Sequence, residues 1–134
     1  VYEYNAIVRD VHDGDTITCD IDLGLGIWKH GVALRLYGCN ARELKDAGGA
    51  EARDNLAALL PVGSRVVLRS HKPGRDLPED KYGGRYDASV TLLDGSDLVT
   101  RLLAGQWVSA WNGRGVRPVP PWPRDIPAAP KAVG

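Results

Sequence analysis

The chain has 134 residues, enough for one domain around one hydrophobic core. It carries 17 basic and 17 acidic side chains, and this zero net charge argues against a protein held to nucleic acid by a diffuse basic surface. No run of about 18 apolar residues occurs, so no membrane helix is expected.

In chain order, Tyr4 to Val11 predicts a first strand, with Ile7 and Val8 in a β-branched stretch. "HDGDT" follows, and its Asp13-Gly14 pair signals a turn between extended segments. Ile17, Cys19 and Ile21 alternate with Thr16, Thr18, Asp20 and Asp22, the pattern of a half-buried strand. "LGLGIWKHG" reads as a Gly-rich link into a third strand, Val32 to Cys39. Short connections make these three strands an antiparallel meander.

From Gly49 to Leu60 the period changes. Ala52, Leu56, Leu59 and Leu60 fall on one face of an amphipathic helix, which Pro61 and Gly63 stop. Val66 to Leu68 begins a fourth strand, "SHKPGRDLPEDKYGG" is a long polar loop, and Arg85 to Leu93 is a fifth strand closed by Asp94-Gly95. Ser96 or Asp97 caps a second helix that ends near Gly105.

After Trp111 the composition turns to Pro, Gly and Arg, which suits neither a helix nor an internal strand. Residues 1–111 are therefore read as one domain and 112–134 as an extended arm that packs near Trp122 and frays beyond it. Three strands, a helix, two strands and a helix predict a mainly β fold with helices (α+β). The expected form is a five-stranded OB barrel with two or three helices.

Cys19 and Cys39 form no CxxC or Cys/His metal pattern and are expected to be core thiols rather than a disulfide. The first residues lack the basic-then-apolar layout of a signal peptide, and no Met occurs anywhere, which fits a processed or trimmed product. Unpaired cysteines without a visible leader point to the cytoplasm; a removed leader would mean secretion. A monomer with no membrane partner is expected.

Four polar clusters can carry chemistry. In "DGDT", Asp13 and Asp15 either accept turn N–H groups or offer oxygen to a hard cation. In "LRLYGCNARE", Arg35 lies opposite the apolar face of Leu34 and Leu36, followed by Asn40 and Glu43. Arg35 is either a solvated strand arginine or a fork for phosphate oxygens. In "DKYGGR", Lys81, Tyr82 and Arg85 are either turn residues or phosphate contacts. Trp107 and Trp111 either cover the end of the core or, for Trp111, offer a stacking face to a base. Phosphodiester hydrolysis needs these parts together: a metal against phosphoryl charge, cationic forks for the transition state and a carboxylate for water.

"DGDT", "LRLYGCNARE" and "DKYGGR", in that order around one helix, resemble the staphylococcal-nuclease-like (thermonuclease) family over roughly residues 4–111. The resemblance implies an OB barrel and a calcium-dependent phosphodiesterase. Such an enzyme cuts DNA and RNA with little sequence preference, leaving 3′-phosphate and 5′-hydroxyl ends. By position it assigns Asp15 to the metal, with Asn40 and the Ala41 carbonyl completing the protein ligands. Arg35 and Arg85 fall to the scissile phosphate, Glu43 to the general base, and Lys81 and Tyr82 to the adjacent phosphate. Trp111 stands where the family often has a nucleotide-packing tyrosine.

The departures are specific. Asn40 replaces the usual Asp, and the loss of one anionic oxygen is expected to weaken calcium binding. Arg42 replaces the usual Pro, which is expected to loosen the loop carrying Glu43. "KYGGR" has one glycine more than the usual "KYGR", and a Pro-rich arm replaces a long C-terminal helix. That arm, with Arg114, Arg117, Arg124 and Lys131 against Asp125, is read as a solvated tail, or else as a contact to nucleic-acid backbone. Two other readings stand beside the nuclease. One is a catalytically impaired OB module that grips nucleic acid or protein. The other is a structural protein that docks through its arm.

Overall fold

The computed structural model describes residues 3–71, 85–112 and 115–121, with Arg85 described by its backbone alone. Strands β1 (Glu3–Asp13), β2 (Thr16–Gly24) and β3 (Ile27–Leu36) form the expected antiparallel meander. The short β4 (Cys39–Ala41) and helix α1 (Gly49–Leu59) follow. Strand β5 (Arg65–His71) pairs antiparallel with β1 and with β6 (Arg85–Thr91), and β6 pairs parallel with β3. The closed barrel runs β1-β2-β3-β6-β5, mainly β with two helices among the described residues, and so OB-like. Helix α2 (Leu98–Ala104) and β7 (Val108–Ala110) complete it, with β7 pairing antiparallel to β4 in a separate two-stranded sheet.

Alternation fills the barrel. Val8, Ile17, Cys19, Leu34, Leu36, Leu68 and Val90 are buried, and Ala52, Leu56 and Leu60 bury the inner face of α1. Asp97 caps α2, its Oδ2 accepting the Thr100 N–H at 2.9 Å. Both cysteines are buried and free, as expected of core thiols. No described helix is long and apolar enough to cross a membrane.

Three details differ from the sequence expectation. The Gly-rich link is strand almost throughout. Only Leu25 and Gly26 make the turn, and Gly24, Leu25 and Gly26 all have positive φ (87°, 57° and 75°), which reverses the chain in minimal length. The third strand stops at Leu36, because Gly38 (φ 87°) turns the chain out of the barrel and Cys39–Ala41 pairs elsewhere. Its partner β7 is only three residues long, too short for any period to reveal.

Candidate functional site

The turn between β1 and β2 is built by its own aspartate: the Asp15 N–H donates to Asp13 Oδ1 at 3.0 Å. Gly14 is required there, since a Cβ would come within 2.7 Å of Ala41 Cβ and 3.1 Å of Ala52 Cβ. This close approach sets the Asp15 carboxylate against β4, where Oδ2 accepts the Ala41 N–H at 3.0 Å. Oδ1 accepts the Thr16 hydroxyl at 3.2 Å. Burial, and then the neighbouring Asp13, push the Asp15 carboxyl up to about 6, against the lowering effect of the Ala41 N–H and Arg35.

Arg35 lies between Leu34 and Leu36 in sequence and opposite Thr16 in register, so it points away from the core towards the same turn. Its guanidinium is 3.7 Å from Asp15 Oδ2 with only 13% of the side chain exposed. It also donates to the Cys39 carbonyl at 3.4 Å and lies 5.0 Å from the centre of the Trp111 ring. A cation is tolerated at this position because carboxylate, carbonyl and aromatic face all compensate it.

Beyond β4 the chain doubles back. The Glu43 carbonyl accepts the Asp46 N–H at 2.9 Å, and α1 begins at Gly49 against the Glu43 backbone. The Glu43 side chain is 53% exposed, 3.4 Å from Lys45 and 3.9 Å from Arg117. An open cavity of about 370 Å³ gathers these groups: carboxylates Asp13, Asp15 and Glu43, guanidiniums Arg35, Arg42 and Arg117, with Thr16 and Ala41 completing the lining.

Residues 115–121 are not a solvated tail. The Pro118 carbonyl accepts from Asn40 Nδ2 at 3.1 Å and from Ser109 Oγ at 2.7 Å. The Pro120 carbonyl accepts from Arg42 Nη2 at 3.0 Å, so Arg42 ties its loop down rather than loosening it. Arg117 also lies 5.2 Å from the Trp111 ring centre, and the Trp111 N–H donates to the Gly38 carbonyl at 2.9 Å.

Two oxygens of the expected metal set are a buried carboxylate and a buried amide oxygen. Asp15 supplies a buried carboxylate whose ionisation is opposed by burial and by Asp13, a cost that a divalent ion would relieve. Asn40 is 6% exposed, and its Oδ1 is buried without a hydrogen-bond partner among the described residues. Its Nδ2 is held by Pro118, so the orphan is the oxygen. Asn40 does not line the cavity, however, and no group of three or more His, Cys, Asp or Glu side chains clusters for a metal among the described residues.

The expected site residues thus divide. Asp15, Arg35, Ala41 and Glu43 share one cavity, Asn40 lies buried in the same β4, and Trp111 packs on Arg35. The Arg85 backbone stands in β6 opposite Ala33, while its side chain, Lys81 and Tyr82 lie outside the described residues. Arg117 reaches the cavity from outside the three motifs, on the Pro-rich arm whose basic residues were expected either in a solvated tail or on nucleic-acid backbone. No family model matches the chain, and no curated protein matches it.

Proposed function

We propose that the protein is a calcium-dependent phosphodiesterase acting on DNA, with RNA as a second substrate, and leaving 3′-phosphate and 5′-hydroxyl ends. The observation that carries this reading is one cavity that gathers Asp15, Arg35 and Glu43 from the β1–β2 turn, β3 and the loop after β4. A half-buried arginine, a buried carboxylate and a solvent-reached carboxylate match parts that hydrolysis of a phosphodiester uses. Arg35, with Arg85 two positions away in register on β6, opposite Ala33, grips the non-bridging oxygens and follows their added charge in the transition state. Glu43 takes a proton from, or holds in line, the water that attacks phosphorus. The P–O5′ bond breaks, the 5′ oxygen leaves as hydroxyl after gaining a proton, and the phosphate stays on the 3′ oxygen. Asp15, the Ala41 carbonyl and the orphan Oδ1 of Asn40 would hold calcium, and the ion would supply charge compensation at the phosphoryl oxygens. Lys81 and Tyr82 contact the next phosphate, and Trp111 packs against the nucleotide.

A second reading rests on Glu43. Its carboxylate has cationic neighbours on both sides, Lys45 and Arg117, as in a barrel that keeps its groove and binds without cutting. Incubating single-stranded DNA with the purified protein, in calcium and in chelator, separates the two. Calcium-dependent cleavage that Glu43→Gln abolishes supports the nuclease. Binding that follows salt alone, without cleavage, supports the module.

A further inference from the structure

We infer that Arg117 is a phosphate-binding residue of the cavity, and that Asn40, Arg42 and Ser109 fasten the segment that delivers it. The inference rests on the nucleic-acid reading above and adds to it a contact from outside the barrel.

The segment is suited to being held. Proline removes N–H donors and pre-sets an extended backbone, so Pro118 and Pro120 present carbonyls with little chain entropy left to lose. Those two carbonyls take the three side-chain donors, at 3.1 Å from Asn40, 2.7 Å from Ser109 and 3.0 Å from Arg42. Pro120 is buried, so this is docking rather than passing contact. Asn40 and Arg42 are also the two positions where the β4 stretch departs from the pattern it resembles. An aspartate or a proline in those places has no side-chain N–H to give a carbonyl. Both departures acquire one common reason: they hold residues 115–121 against β4 and β7.

What the docked segment contributes is Arg117. It is 44% exposed and shares the cavity with Arg35, its guanidinium 3.9 Å from Glu43 Oε1 and 5.2 Å from the Trp111 ring centre. At 3.9 Å the Glu43 contact is an ion pair without a hydrogen bond. Among the described residues the fork is oriented by Trp111 and Glu43 but not consumed by either. A phosphate entering the cavity offers the short, bidentate partner that this geometry lacks.

The test measures binding of a nuclease-resistant phosphorothioate single-stranded oligonucleotide, in calcium, across a salt series. Wild type is compared with Arg117→Ala, Arg117→Lys and Arg101→Ala, with thermal melting to confirm folding. Arg101 sits on α2, 3.7 Å from Asp94, and does not line the cavity. Arg117→Ala is expected to bind about tenfold more weakly, with a salt slope shallower by about 0.7. Arg117→Lys keeps the slope but not the full affinity, and Arg101→Ala matches wild type. Arg42→Ala weakens binding less in the Arg117→Ala background than in wild type, if Arg42 acts through the segment. An Arg117→Ala protein with wild-type affinity and slope, or with tighter binding, overturns the Arg117 assignment while leaving the nuclease reading intact. Equal losses from Arg42→Ala in both backgrounds overturn the fastening. A wild type that neither binds nor cuts overturns the nucleic-acid reading itself, and Arg117 with it.

Discussion

The Arg35 guanidinium lies 3.7 Å from the Asp15 carboxylate, with 13% and 10% of the two side chains exposed, yet the Asp15 carboxyl titrates near 6 rather than its ordinary 3.8. Burial and Asp13 outweigh the arginine. A folded-state pKa raised in this way means that protonated Asp15 favours the fold. That stability is fully present below about pH 4 and is lost as the pH rises through about 6. Two pH units correspond to roughly 3 kcal/mol. In chelator, Asp15→Asn should therefore gain on wild type by roughly 2–3 kcal/mol between pH 4 and pH 8, read from urea denaturation at both values. A difference that is the same at both would mean Asp15 is not the strained carboxylate. Calcium should shrink the gain, since an ion at Asp15 favours the charged form.

Glu43 sits at the other extreme, half in solvent. Its pairs with Lys45 and Arg117 are surface pairs, which contribute little. Glu43→Gln should change stability by no more than about 0.5 kcal/mol. Cleavage of single-stranded DNA should fall at least about a hundredfold if this carboxylate handles the water. Unchanged cleavage by the folded variant would remove Glu43 from the reaction.

The position of Glu43 depends on a hydrogen atom. A Cβ at Gly49 would overlap the Glu43 carbonyl oxygen and come within 2.6 Å of its carbon and 3.0 Å of Leu44 Cα. These are backbone atoms and cannot swing aside. Gly49→Ala should cost about 1–3 kcal/mol, and the displaced loop should lower cleavage about a hundredfold. Ala57→Gly, at an exposed position of the same helix, should cost about 1 kcal/mol and leave activity alone. Equal activities for the two variants would break the link between the start of α1 and the site.

Burial pushes both the Cys19 and Cys39 thiols up to about 12. Neither should react with a thiol reagent in the native protein at pH 8, and both should react once the protein is unfolded. Fast native labelling at either position would contradict the burial.

The barrel was legible in the chain because its signals are local. Alternation at Ile17–Ile21 and Val32–Leu36, the shift to helical period at Ala52–Leu60 and the Asp97 cap each reflect which neighbours in sequence share a face. Asp15, Arg35 and Glu43 were singled out from motifs, but whether they meet was decided only by closure of the fold, which brings the β1–β2 turn against β4 through the gap at Gly14. The pairing of β4 with β7, and the partners that hold residues 115–121 of the expected packed arm, have no local signal in the sequence. A three-residue strand has no period, and the bonds from Asn40 and Arg42 to Pro118 and Pro120 each span 78 residues. Local pattern is set by side-chain direction along one segment. Long-range hydrogen bonds depend on which segments the barrel happens to bring together, and that is where Arg117 acquired its place.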